Sequence, residues 1–114
     1  MTDCLFCKIA QGELKANKAY SDDRAVAFHD INPQAPVHVL IIPTRHIESL
    51  LDMGEEDLEL LGHLHAIAAR LARELGVAEA GFRVVVNTNR DAGQSVPHLH
   101  LHLLGGRAMG WPPG

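Results

Sequence analysis

The period of apolar positions changes along the chain, and each change marks an element. From Glu55 to Leu75, leucines at 58, 61, 64, 71 and 75, with Ile67 or Ala68 between them, recur every three or four residues. That is the spacing of one buried face of an amphipathic helix. Glu55, Glu56 and Asp57 suit its positive N-terminal end, and Gly76 suits the position just past its C-terminus. Elsewhere the pattern is extended. "NKAYSDD" (17–23) and "AVAFHDI" (25–31) read as two short strands around a turn near Asp22–Arg24. "VHVLIIP" (37–43) reads as a third, largely apolar strand, "FRVVVNT" (82–88) as a fourth and "HLHLHLL" (98–104) as a fifth. A short helix over 4–11, closed by Gly12, and a helical turn in "HIESLLD" (46–52) complete the set. Pro112 and Pro113 keep the tail out of regular structure. Strands, one long helix and strands again predict an α+β domain with a five-stranded, mostly antiparallel sheet, one long helix and one short one. At 114 residues, the whole of 1–114 is read as one domain.

Composition narrows the partners. A hydrophobic fraction of 46% and a charged fraction of 21% describe an ordinary globular chain. The net charge of −4 argues against long nucleic acid, whose binding rests on a basic surface, but leaves room for one small phosphate ligand. No apolar run approaches the roughly 20 residues of a membrane span. "MTDCLFCKIAQGE" turns polar too early for a secretory leader, so a cytoplasmic location is expected. In a reducing compartment the C-x-x-C of Cys4 and Cys7 fits metal ligation, redox chemistry or two inert helix cysteines. Redox ranks last, because only three residues precede Cys4 and no strand feeds the motif.

The fifth strand carries the chemistry. Successive strand side chains alternate between faces, so His98, His100 and His102 share one face and Leu99, Leu101 and Leu103 the other. Neighbouring imidazoles would then sit about 6.6 Å apart. Two chemistries want such a row. Three neutral imidazoles bind zinc around a catalytic water, although no carboxylate in the motif adds a further ligand or base. Alternatively one imidazole attacks phosphorus while the others hold phosphoryl oxygens. The loop "NRDAGQSVP" between strands four and five supports the second reading. There Gly93 lets backbone N–H groups turn toward an anion, and Gln94 and Ser95 add side-chain donors. His63 and His65, two residues apart on the helix, face different ways and are read as ordinary surface or interface residues.

His98-Leu99-His100-Leu101-His102-Leu103-Leu104 resembles, at every position, the motif that defines the histidine-triad (HIT) family: histidines alternating with apolar residues, closed by two apolar residues. "FHDINPQAPVHVLIIP" (28–43), "VVVNTNRDAGQSVPHLHLHLLGGR" (84–107) and the closing "WPPG" look like its HINT branch, the nucleoside phosphoramidate hydrolases. The resemblance covers nearly the whole chain.

It implies a HIT-like fold and hydrolysis of the P–N bond of purine nucleoside 5'-phosphoramidates, of the AMP-lysine or AMP-NH2 type, releasing AMP or GMP. His100 would attack the α-phosphorus to form a nucleotidyl-histidine, which water then cleaves. His102 would contact the phosphate, and His38 would orient the nucleophile's second nitrogen or relay a proton. Ser95 would bond the phosphate or leaving group, with Gln94 and Val96 contributing backbone N–H groups and Asn87 lying beside phosphate and ribose. Asp30 would accept the ribose hydroxyls. Phe6, Ile9, His29, Ile31 and Leu40 would form the base cleft, although Ile9 and Leu40 fit a plain core role equally well. The branch is a homodimer with one sheet continuous across the two-fold, which implies an interface from residues 55–75 and 82–88. Its tail reaches toward the partner's site, where Trp111 would help select leaving groups. Dinucleoside polyphosphate hydrolysis and a non-catalytic purine-nucleotide-binding dimer are the alternatives. Many HINT-like sequences lack the "CLFC" found here. Other family members with it hold structural zinc, which implies Cys4, Cys7, His46 and His98 as ligands to a Zn2+ that takes no part in the chemistry. Two packed thiols are the competing reading.

Overall fold

The computed structural model describes residues 3–114. Helix α1 (Leu5–Ala10) is followed by strands β1 (Lys18–Ser21), β2 (Ala25–His29) and β3 (Val37–Pro43), and then by helix α2 (Leu58–Glu74). Strand β4 (Phe82–Val85), the single-turn helix α3 (Asn89–Ala92) and strand β5 (Leu101–Gly105) complete the chain. The five strands form one antiparallel sheet in the order β1-β2-β3-β5-β4. Among the described residues no helix is long and apolar enough to cross a membrane.

The two faces of the sheet do different things. Leu64, Ile67, Ala68, Leu71 and Ala72 of α2 pack on Ala25, Ala27, Val39, Ile41, Leu99, Leu101 and Leu103. The alternate residues Val26, Phe28, Leu40 and Ile42 pack under Phe6 and Ile9 of α1. Strand β3 is buried on both faces, which explains its nearly continuous apolar run. Full burial of a Leu or Ile contributes about 1.5–3 kcal/mol, so α2 is held chiefly by this stripe.

The element boundaries differ from the sequence reading for identifiable reasons. Residues 55–57 form a separate 3-10 turn rather than the first turn of α2. Asp57 is buried there, where it accepts the Gly54 N–H at 3.0 Å and pairs with Arg45. A second 3-10 turn, Leu50–Asp52, occupies the expected turn in 46–52. Strand β4 stops at Val85 instead of 88, and "NRDA" of the expected loop is the helical turn α3. Gly93 ends that turn at φ +85°, a conformation open to glycine at little cost. The fifth strand joins the ladder only at Leu101, not at 98. Upstream of it, Leu99 N–H is taken by the Ile47 carbonyl at 2.6 Å, outside the sheet.

Candidate active site

Alternation survives where the ladder does not. Leu99, Leu101 and Leu103 enter the α2 core. His100 and His102 turn to the α1 face, with ring centroids 5.0 Å apart, closer than ideal strand spacing. His102 pairs with Leu40 of β3 and Val85 of β4 in the sheet register. His38 pairs with Leu104, one step along β3 on the same face, which brings its ring within 5.2 Å of His102.

Main-chain contacts fix the imidazole tautomers, because a backbone N–H only donates and a carbonyl only accepts. Gln34 N–H donates to His38 Nδ1 at 3.0 Å, so the His38 proton sits on Nε2. That proton is donated to His102 Nδ1, 2.9 Å away. The proton of neutral His102 is therefore on Nε2, and this residue lines the cavity described below. His100 Nδ1 donates to the His98 carbonyl at 2.7 Å, which leaves the lone pair on Nε2. Among the described residues no buried side-chain nitrogen lacks a partner, and Nε2 of His100, which has none in the protein, opens on the cavity. His98 Nε2 donates to the Pro43 carbonyl at 2.9 Å, so its lone pair is on Nδ1, facing Cys4 Sγ at 3.3 Å and Cys7 Sγ at 3.6 Å. One histidine thus offers a lone pair to the cavity, one an N–H to the cavity, and one a lone pair to the thiols. The three do not converge on one ion, which removes the reading of the triad as a catalytic zinc site. Nδ1 of His100 is held by the His98 carbonyl rather than by His38, whose Nε2 is committed to His102.

Burial keeps these rings neutral. It pushes the pKa of His102 down to about 4, helped by the neighbouring His100 and His38. Burial also lowers His38 and His100, against a smaller opposing pull from Asp30 on each and from the His98 carbonyl on His100. Asp30 accepts the Asn32 N–H at 2.8 Å on one oxygen, and its other oxygen lies 3.5 Å from His38 Nε2.

A cavity of about 350 Å³ opens beside His100 and His102 on the α1 face. Phe6, Ile9 and Leu40 line it and also belong to the buried α1-side core, so the two readings of Ile9 and Leu40 meet. Phe6 presents its ring edge-on to His100 at 5.1 Å. His29, Asp30 and Ile31 form another wall, with Ile31 fully exposed at the rim, and Ser95 and Val96 form a third. Three expected residues lie elsewhere. Asn87 faces a depression shared with Arg83, Leu104 and the prolines of the tail, because α3 turns the chain away after β4. Gly93 sits at the end of α3, outside the cavity lining. Gln94 spends its donors inside the loop. Its amide donates to Glu48 O at 2.7 Å and Val96 O at 3.0 Å, its N–H to Asn89 O at 3.1 Å, and its Oε1 accepts Asn89 N–H at 2.9 Å. Gln94 therefore shapes the Ser95 loop rather than presenting a donor to an anion. Lys15 and Asn17 line the cavity and were not anticipated, since they lie on the irregular link between α1 and β1. Trp111 is 83% exposed and does not line the cavity of its own chain.

Cys4, Cys7, His46 and His98 come together beside this cavity, with one ligand atom from each lying within 4.8 Å of all the others. Tetrahedral zinc, with Zn–S of about 2.3 Å and Zn–N of about 2.0–2.1 Å, sets sulfur and nitrogen ligands roughly 3.5 Å apart. The pairs here measure 3.3 Å for Cys4–His98, 3.6 Å for Cys7–His98 and 3.3 Å for Cys7–His46. Burial, and after it the Cys4 thiol, push the Cys7 thiol up, the condition that a bound cation would reverse. The donor set therefore fits the ion. His63 pairs with Asp22 at 2.7 Å, and His65 Nδ1 donates to the Leu61 carbonyl at 2.9 Å, both away from this site.

Known proteins resemble this chain in sequence and in fold. The model of the HIT domain matches residues 11–109. The chain is 45% identical over 108 residues to a purine nucleoside phosphoramidase of Escherichia coli (strain K12), covering 95% of this chain and 91% of that protein. It is 49% identical over 112 residues to an uncharacterized HIT-like protein of Synechocystis sp., covering 98% of this chain and 97% of that one. Among solved structures, a HIT family hydrolase from Legionella pneumophila Philadelphia 1 superposes with a TM-score of 0.96 at 53% identity, covering 98% of this chain and 100% of that one.

Proposed function

This chain belongs to the HIT family of hydrolases, and from that premise we propose that it cleaves purine nucleoside 5'-phosphoramidates through a covalent intermediate on His100. The observation that carries the reading is the Nδ1–H of His100, locked on the His98 carbonyl, which aims an unprotonated Nε2 at the cavity. The named activity of the Escherichia coli relative supports the substrate class.

In the first step the Nε2 lone pair attacks the α-phosphorus as the P–N bond breaks. The amine leaves with the bonding pair and takes a proton from the exposed Ser95 hydroxyl, which solvent replaces. The Nε2–H of His102 donates to a phosphoryl oxygen whose charge grows in the transition state, a donor fixed in place beforehand. Gln34, His38 and His102 form a line in which each donor holds the next acceptor, so the donor toward phosphate is set before substrate arrives. Water then attacks the phosphorus, breaks the P–Nε2 bond and releases the nucleoside monophosphate. The apolar walls around Phe6, Ile9 and Leu40 suit a purine, and the Asp30 carboxylate suits the ribose hydroxyls.

His100→Ala is expected to abolish monophosphate release while nucleotide still binds. Quenching the wild-type enzyme early should trap a nucleotidyl adduct on His100, detected by mass spectrometry. Retained turnover in the variant would overturn the proposal.

Cys4, Cys7, His46 and His98 are proposed to hold one structural zinc. When bound, the ion supplies stiffness rather than water activation, because all four positions are protein ligands. Its consequence for the chemistry would run through this chain: His98, whose ring would be held by the ion, is the residue whose carbonyl orients His100. A homodimer through 55–75 and the β4 edge is also proposed. Strand β4 ends the sheet with one side unpaired, and Phe82 on it is 39% exposed. Light scattering on the purified protein would read the mass directly.

A further inference from the structure

We propose that Arg107, which follows β5 and does not line the nucleotide cavity, is a positioning residue for the donor on His102: by holding the Gln34 carbonyl it keeps the Gln34 N–H on His38, and so fixes the tautomers of both rings. The consequence for turnover rests on the phosphoramidase reading above, whereas the tautomers stand apart from it. Arg107 Nε donates to Gln34 O at 3.1 Å, Gln34 N–H donates to His38 Nδ1 at 3.0 Å, and His38 Nε2 donates to His102 Nδ1 at 2.9 Å. Three bonds thus join an exposed guanidinium to a ring that lines the cavity.

The link between β2 and β3, residues 30–36, needs an anchor from outside. Pro33 and Pro36 have no N–H to give it. Among the described residues its other hydrogen bonds stay within 30–38. Asn32 N–H donates to Asp30 Oδ1 at 2.8 Å, the Gln34 side-chain amide to Asn32 O at 3.0 Å, and Asp30 N–H to His38 O at 2.9 Å. These bonds shape the link and hold its start, but leave its middle untied to the rest of the chain. Arg107 supplies that tie. Its Nη1 also donates to Ala108 O at 3.1 Å, so two bonds fix the guanidinium plane. No carboxylate pairs with it among the described residues, and its charge goes to strengthening the two carbonyl bonds. Gly106 lets the segments come this close, since a Cβ there would meet Pro36 Cβ at 2.8 Å.

Without the anchor the pair of rings can invert. Once Gln34 N–H withdraws, the His38 proton is free to settle on Nδ1, which leaves a lone pair on Nε2. His102 then donates to that lone pair from Nδ1, and its own Nε2 turns a lone pair toward the cavity. A phosphoryl oxygen would meet repulsion where it now meets an N–H. Nucleotide binding should suffer less than the chemical step, because Asp30 is held to β3 by a bond that Arg107 does not touch.

The test reads the tautomers directly. Nitrogen-detected NMR of the ligand-free protein should show one tautomer each for His38 and His102 in the wild type and a mixture in Arg107→Met. With an adenosine 5'-phosphoramidate, kcat should fall about fivefold in that variant, the effect of one ordinary hydrogen bond, while KM changes by about twofold at most. Arg107→Gln, which keeps a polar but uncharged and shorter side chain, is read in the same way should Arg107→Met not fold. Unchanged single tautomers in the folded variant overturn the proposal, whatever the rate does. Mixed tautomers in the variant, beside a wild type that cleaves no phosphoramidate, overturn the phosphoramidase reading and leave the positioning role of Arg107 standing.

Discussion

Nε2 of His38 lies 2.9 Å from Nδ1 of His102, and the Gln34 N–H on the far nitrogen of His38 decides which of the two donates. The cavity-facing nitrogen of His102 thus inherits its proton from a main-chain contact two groups away. Removing the middle group by His38→Ala leaves Nδ1 of His102 without its donor and lets the proton settle on either nitrogen. Losing such a buried partner costs about 1–3 kcal/mol, so kcat/KM should fall about tenfold or more. Nitrogen-detected NMR of the His102 ring should show mixed tautomers in the variant and one in the wild type.

The burial that keeps the rings neutral fixes the pH response. An exposed histidine protonates near pH 6.5, but His102 does so only at about 4, and His38 and His100 are shifted in the same direction. The rate is therefore expected to hold as pH falls through 6.5 and to drop on approach to 4. Stability behaves differently. Above pH 6.5 both folded and unfolded rings are neutral and nothing is linked to protons. Between 6.5 and 4 the unfolded chain takes up protons that the folded His102 refuses, so stability is lost as pH falls through that window. Urea midpoints at pH 7 and pH 5, read beside kcat at the same values, would separate the two effects.

Gln94 joins three segments of backbone through one side chain, so Gln94→Ala should loosen the loop that carries Ser95. We expect kcat to fall about fivefold or more with a smaller change in KM, since the base walls stay in place. A pre-steady-state burst would locate the loss in the first chemical step, where Ser95 is proposed to serve the leaving group.

The sequence made some of this legible and hid the rest for physical reasons. Leucine spacing marked α2 because that helix exists to bury one stripe, and histidine–leucine alternation assigned the two faces because only leucine suits the α2 core. The start of β5 was not legible. Leu99 finds its partner at Ile47, a contact between residues far apart in the chain, and no local propensity encodes it. Lys15 and Asn17 were missed for a similar reason: an irregular link has no period, and only the packing of α1 on the sheet brings it to the cavity. The thiol–imidazole quartet, drawn from three distant places, came into view through resemblance to the family rather than through spacing.

Chelation offers a clean stability test. A site of four good ligands stabilises the fold by several kcal/mol when the ion is well above its dissociation constant. Stripping the proposed zinc should therefore lower Tm by about 10 °C or more. Cys7→Ser should show the lower Tm before chelation and little further drop after it. Elemental analysis should give one zinc per chain in the wild type alone.

Gly105, at the end of β5, carries no side chain for a packing reason. A Cβ built there meets Val77 Cβ at 2.8 Å and its methyls at 2.9 and 3.0 Å. Overpacking of this kind costs about 1–3 kcal/mol, so Gly105→Ala should lower the urea midpoint by that equivalent with the slope unchanged.

The interleaving of imidazoles and leucines in 98–104 also limits what can happen to this stretch without disaster. A deletion of one residue just upstream would exchange the two sets, driving polar rings into the packing of α2 and offering aliphatic side chains to the cavity. No intermediate register keeps half the chemistry with half the core. For this segment a correctly folded chain and an active one are the same event, so turnover itself reports that the strand has found its register.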